Sequence, residues 1–252
     1  MATKFYKILA IGNSFSTDAT RYLYQVARSQ GVNLKVVNLY IGGCPLSYHY
    51  RNILSGEKKY LVEVNGYSTG FYTSIEEALL TESVTGWDVV TLQQASKFSI
   101  NYDTYQPYLN ELSEFVKTYM PETKQYIHET WSYKQGGERL SLLGYENQKD
   151  MYNDLKKAYK KAYKEIKADG YIPSGTAIQN LIENGVENTH RDDIHLSFGI
   201  GRLTAAIVWY SIITGNKVES LNGFNDFDEP ISEEEIKIAI KSAMEAVANF
   251  QK

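Results

Sequence analysis

Short apolar runs alternate along the chain with stretches whose apolar residues recur at helical spacing. Phe5–Ile11, apolar except for Lys7, predicts a buried strand feeding the turn Gly12-Asn13-Ser14. A helix is expected from about Asp18 to Ser29, with Leu23, Val26 and Ala27 in register and Gly31 as its stop. Leu34–Tyr40 predicts a second strand that ends at Gly42-Gly43. Tyr60–Val64, Asn65-Gly66 and Tyr67–Tyr72 predict a small hairpin inserted in the series. Ser74-Ile75-Glu76-Glu77 is a capping box that opens a short helix. Trp87–Leu92 predicts a central strand leading into Gln93-Gln94, and Pro107 begins a helix with Leu109, Leu112, Phe115, Val116 and Tyr119 inward. Gln125–Trp131 is a further strand, followed by a helix from about Gln148 to Ala168 and a short strand at Tyr171–Ile172. Helices over Thr176–Glu183 and Phe198–Thr214, the latter ended by Gly215, precede a terminal amphipathic helix capped at Ser232.

Strands alternating with helices of this length predict an α/β fold: a central parallel sheet covered by helices on both faces, three layers of the flavodoxin-like kind. The 252 residues suit one large domain, with the hairpin at about 60–72 as its insertion. In such sheets ligands sit beyond the carboxyl ends of the strands. The turns at Ser14, Gly42-Gly43, Gln93-Gln94 and Trp131, with the segment before Phe198, are therefore where chemistry is expected.

Composition narrows the function classes. A net charge of −4 gives no reason to expect nucleic acid as a partner. The lysines between Lys149 and Lys167 read as the solvated face of one helix. The single cysteine, Cys44, excludes an internal disulfide framework. No window approaches the roughly 18 apolar residues of a membrane span, and the opening apolar run is too short for a signal peptide. As written the chain reads as cytoplasmic, or as periplasmic or secreted if a leader preceded it; oligomeric state is not legible. Tyrosines number 21 against 9 phenylalanines, which suits core rims and the stacking of sugar rings alike.

Ser14 lies between the first strand and the first helix, where exposed backbone N–H groups can stabilise an oxyanion. Ser16 and Thr17 are better placed as helix caps, which leaves Ser14 free. A serine hydroxyl needs a base, and four histidines are present: His49, His128, His190 and His195. His195 follows Asp192 by three residues, a spacing at which one short turn brings the carboxylate onto the imidazole and fixes its tautomer. Asp193 is less well placed. His49, in the loop after Gly-Gly-Cys-Pro, could line a pocket, whereas His128, within a strand, reads as a core histidine. Trp131 and Tyr133 could wall a sugar pocket, Trp131 equally being core. No histidine pair has metal-ligand spacing, Cys44 alone makes no zinc site, and no P-loop follows Gly42-Gly43. No metal or cofactor is called for.

The constellation resembles the SGNH, or GDSL-like, hydrolases. Gly12-Asn13-Ser14-Phe15-Ser16 is similar to that family's first block, with Asn13 where Asp is commoner. Gly43 matches the second-block glycine that helps bind the oxyanion, and Asp192-x-x-His195 matches the last block. Where the family carries Gly-x-Asn-Asp, this chain has Leu92-Gln93-Gln94-Ala95-Ser96. A glutamine amide can donate the same hydrogen bond from one methylene further out, so Gln94, with Gln93 close behind, is the expected third oxyanion donor. The tracts GNSFS (12–16), LYIGGC (39–44), WDVVTLQQAS (87–96), TYQPYL (104–109), HETW (128–131) and RDDIHLS (191–197) further resemble a group of SGNH-like proteins of gut Bacteroidetes with no settled substrate. The resemblance implies a serine esterase or acylhydrolase acting on a small-molecule or glycan ester, with Ser14, Asp192 and His195 catalytic. Gly43 and Gln94 would form the oxyanion hole, and Asn13, Gln93, His49 and Trp131 would lie at the substrate. Two rivals are a glycan-binding module that lost the chemistry and a flavodoxin-like domain binding a phosphorylated small molecule at the Asn13–Ser16 turn.

Overall fold

The computed structural model describes residues 4–250. In chain order the elements are β1 (Phe5–Gly12), α1 (Ser14–Thr20), α2 (Leu23–Ser29), β2 (Asn33–Tyr40), α3 (Leu46–Ser55), β3 (Tyr60–Val64), β4 (Tyr67–Thr73), α4 (Ile75–Leu80) and β5 (Val89–Leu92). There follow α5 (Tyr108–Tyr119), β6 (Lys124–Glu129), α6 (Glu138–Leu142), α7 (Gln148–Glu165), β7 (Gly170–Pro173), α8 (Ser174–Glu183), α9 (Ile200–Thr214) and α10 (Glu233–Phe250).

The seven strands form one sheet in the order β4-β3-β2-β1-β5-β6-β7. β2, β1, β5, β6 and β7 run parallel, with Ile8 facing Val36 on one side and Val89 on the other. The hairpin β3–β4 joins antiparallel to β2 and so extends the same sheet as its edge. Buried Ile8, Leu9, Ala10 and Ile11 of β1 and Val90 and Leu92 of β5 form the middle of the core. That is why these strands read as continuous rather than alternating apolar runs. α9 is buried all round, from Leu203 to Tyr210, and ends where Gly215 takes a left-handed φ of 75°. Ser232 accepts from Glu235 N while Glu235 reaches back to Ser232 N, the capping box expected for α10. Among the described residues no helix is long and apolar enough to cross a membrane.

Three local expectations change. The helix expected over 18–29 is two helices, α1 and α2, broken where the Tyr22 hydroxyl donates to Phe198 O at 2.6 Å and accepts from Asp228 N at 2.7 Å. α1 begins four residues earlier than expected, because Asn13, not Ser16 or Thr17, is the N-cap: its Oδ1 accepts from Phe15 N at 3.0 Å. The loop expected to hold His49 is the helix α3.

Candidate active site

The C-terminal ends of β1, β2 and β5 and the loops after β6 and α8 converge on one cavity of about 410 Å³. Asn13, Ser14, Gly43, Ser96, Tyr133 and His195 are among its lining residues. Ser14 is the first residue of α1 and half-buried, while Asn13 before it and Phe15 and Ser16 after it are buried. Ser16 Oγ is occupied twice, accepting from Asn13 N at 3.0 Å and donating to Asn13 O at 2.8 Å. Thr17 Oγ1 donates to Glu63 at 2.9 Å. Ser14 alone of this cluster presents its hydroxyl to the cavity and to a base: its Oγ lies 2.9 Å from His195 Nε2.

His195 Nδ1 lies 2.8 Å from Asp192 Oδ2, and Asp192 Oδ1 accepts from the backbone N–H of His195 at 2.7 Å and of Ile194 at 2.8 Å. One short turn thus lets the carboxylate hold the imidazole's backbone and its ring together. A carboxylate accepts only, so Nδ1 carries the proton and Nε2 is left to receive the serine's. Partial burial pushes the Asp192 carboxyl up, but the two backbone donors and the imidazole outweigh it and hold the carboxyl at about 2, ionised at neutral pH.

The other histidines are neutral and engaged elsewhere. Burial lowers His49 to about 3; it is fully enclosed in α3, with Nδ1 2.8 Å from the Tyr60 hydroxyl, and does not line the cavity. Burial lowers His190 to about 4, its Nε2 facing Ser132 O at 3.0 Å. His128 is a core histidine lowered by burial to about 3.

His128 nevertheless reaches the site indirectly. Phe15 N–H fixes Asn13 Oδ1 as an acceptor, so Asn13 Nδ2 donates to Cys44 O at 3.1 Å and Gln93 Nε2 donates to Asn13 Oδ1 at 3.0 Å. Gln93 Oε1 then faces His128 Nδ1 at 2.6 Å, which must donate, and His128 Nε2 accepts from Ser174 Oγ at 3.0 Å. This buried chain ties the ends of β1, β2, β5 and β6 and sets the backbone on which Ser14 and Gly43 sit. Gln93, expected at the substrate, therefore works one layer behind it, and Asn13 lines the cavity with its amide already committed.

Two further expectations are corrected. Gln94 does not face Ser14: its Nε2 donates to Thr104 O at 3.0 Å and Thr104 Oγ1 at 3.3 Å, and its Oε1 accepts from Leu46 N and Ala95 N. It is buried and braces the loop after β5 against α3. Trp131 is fully buried, stacked on Phe15 with centroids 4.4 Å apart, and its Nε1 donates to Ile194 O at 2.9 Å. It supports the His195 segment from behind, while Tyr133 lines the cavity. Gly43 sits at the cavity with φ 61°, a conformation a side chain would strain.

Asp18 escaped sequence reasoning, which saw in it only a helix start. One turn after Ser14 and fully buried, it accepts from Arg191 Nη1 at 2.9 Å on both oxygens, from Arg202 Nε at 2.8 Å and from Leu196 N at 3.1 Å. It clamps the segment 191–196 onto α1 and so brings Asp192 and His195 to Ser14, His195 being 181 positions further along the sequence. The pairing of an internal acid with arginines flanking the Asp-His block was its only signal. Arg139 and Lys97, also missed, line the cavity.

The mostly parallel seven-stranded sheet, with helices packed on it, is a fold this chain shares with a GDSL-like protein. The chain belongs to the family described as domain of unknown function DUF4886, whose model matches residues 7–246. A DUF4886 family protein from Bacteroides uniformis is 34% identical, with TM-score 0.88 over 99% of this chain and 97% of that one. A protein from Parabacteroides merdae described as a GDSL-like lipase shares the fold at 16% identity, TM-score 0.56, over 84% of this chain and 98% of that one. An alpha/beta hydrolase from the metagenome of Lake Arreo does so at 10% identity, TM-score 0.54, over 84% and 96%. Among curated proteins nothing matches the chain.

Proposed function

We propose that this protein is a serine ester hydrolase that works through an acyl-enzyme. The observation that carries the reading is the continuous contact from Ser14 Oγ to His195 Nε2 at 2.9 Å and from His195 Nδ1 to Asp192 Oδ2 at 2.8 Å. Ser14 Oγ attacks the ester carbonyl carbon as His195 Nε2 takes its proton, and Asp192 stabilises the imidazolium. The tetrahedral intermediate collapses, the C–O bond to the alcohol breaks, and His195 returns the proton to the departing alkoxide. Water then adds to the acyl carbon by the same relay, releasing the acid and restoring Ser14.

Backbone N–H groups of Ser14 and Gly43 are the proposed oxyanion donors; neither has an acceptor among the described residues. With Gln94 committed to Thr104, the third donor inferred from resemblance drops out of the scheme. A cavity of about 410 Å³ beside Ser14 has room for a small-molecule ester. GDSL-like and hydrolase structures sharing the fold agree with the reaction class. Ser14→Ala is expected to abolish turnover of p-nitrophenyl acetate, and undiminished hydrolysis rejects the reading. Acetylated oligosaccharides are the substrates to screen for the carbohydrate-ester arm.

A further inference from the structure

The Ser14 cavity carries a charge pattern that ester hydrolysis itself does not require. Its lining includes Lys97 and Arg139 and no aspartate or glutamate. Both cations are exposed, and neither forms an ion pair with any described acidic side chain. Lys97 Nζ rests over the Phe98 ring, 4.8 Å from its centroid, a cation–π contact in place of an ion pair. The nearby carboxylates are committed: Asp192 to His195 and two backbone N–H groups, Asp193 to the backbone N–H of Arg139 at 3.1 Å. In a chain of net charge −4, two cations without an ion pair therefore line one cavity beside the candidate nucleophile. A cleft focuses such a field on whatever enters it, and a guanidinium fork matches a carboxylate. Tyr40, Ser96 and Tyr133 line the same cavity, the Ser96 and Tyr133 hydroxyls 2.9 Å apart, and offer polar groups to an anion there.

We infer that the cavity selects esters that also bear a carboxylate, held by Arg139 and Lys97 while Ser14 attacks the ester carbonyl. The inference rests on the esterase reading for its chemistry but not for its binding. Two matched pairs separate the sources of the charge. In 4-acetoxybenzoate against 4-acetoxybenzamide the carboxylate is on the alcohol side; in p-nitrophenyl hydrogen adipate against the matching adipamic ester it is on the acyl side.

In at least one pair the anionic ester should have a kcat/KM about tenfold or more above its neutral partner at low salt, the factor that 1.4 kcal/mol represents. The preference should shrink as added salt screens exposed charge and fall towards parity in the Lys97→Gln/Arg139→Gln variant. Parity in both pairs for the wild type, or a preference that survives the double substitution, overturns the inference. A binding arm uses Ser14→Ala, titrated calorimetrically with 4-acetamidobenzoate and 4-acetamidobenzamide. Anion-selective binding that disappears with Lys97→Gln/Arg139→Gln upholds the site even if no ester is turned over, in which case the hydrolase reading alone fails. Absence of charge selectivity in both binding and turnover overturns the site.

Discussion

Asp18→Asn tests how two distant stretches of chain are made to meet. The substitution keeps the side chain's shape but removes its charge from a fully buried position between Arg191 and Arg202. It also turns an amide NH2 towards one of the two guanidinium groups. Removing one partner from a buried ion pair typically costs about 3–5 kcal/mol, because the remaining charge is left uncompensated. Here Arg202 keeps Asp228 at 2.8 Å and Arg191 keeps Leu196 O, so the lower end, about 3 kcal/mol, is expected. Against a total stability of about 5–15 kcal/mol that is a large fraction. At a urea slope near 3 kcal/mol/M it lowers the unfolding midpoint by about 1 M. The loss is also local, since Leu196 N and Arg191 are the ties of the Asp192–His195 turn to α1. Labelling of Ser14 by a fluorophosphonate in the folded variant should therefore slow by about tenfold or more, the factor that 1.36 kcal/mol represents. A variant within about 1 kcal/mol of wild type that still labels at the wild-type rate would refute the clamp.

Two other perturbations bear on the same site. Asp192 is held at about 2, below its ordinary value of 3.8, so its ionised form favours the fold. That contribution is complete above about pH 4 and lost as the pH falls towards 2. Unfolding midpoints measured from pH 5 to pH 2 should fall more steeply for wild type than for Asp192→Asn, and kcat/KM should show no Asp192 step between pH 5 and 9; parallel stability curves would contradict this. A Cβ at Gly12 would lie 2.3 Å from Ser16 Oγ and 3.2 Å from Gln93 Cδ. Ser16 cannot move without breaking the cap of α1, so Gly12→Ala should cost about 1–3 kcal/mol in urea unfolding and slow Ser14 labelling, whereas an unchanged variant would mean the turn is loose.

Much of the fold is legible because the sheet is buried on both faces, so β1 and β5 announce themselves as apolar runs. Turn chemistry also reads directly, in the Asn65-Gly66 hairpin and the Gly215 stop. Ser14 stands out because it falls at a strand-to-helix turn, and Asp192 and His195 because their three-residue spacing is local, in the loop between α8 and α9. What was misread depends on partners remote in sequence. Gln94 has the chemistry of a donor, but Thr104 and Leu46 decide where its amide points. Asn13, Ser16 and Thr17 are all cap formers, and only the coupling of Asn13 to Gln93 and Cys44 selects Asn13. His49 reads as a loop residue because Gly42-Gly43 dominates the segment, and Pro45, the N-cap of α3, is the overlooked signal that Leu46 opens a helix whose inner face meets Tyr60. Asp18 was silent because an acid within a helix usually faces water.

The most direct test of the proposed chemistry is mass-spectrometric mapping of a fluorophosphonate adduct on the whole chain, with His195→Ala alongside. A single adduct on Ser14, lost or greatly slowed when the imidazole is removed, is the expected result. Labelling elsewhere, or Ser14 labelling that proceeds unchanged without His195, would contradict the relay from Asp192 to the Ser14 hydroxyl.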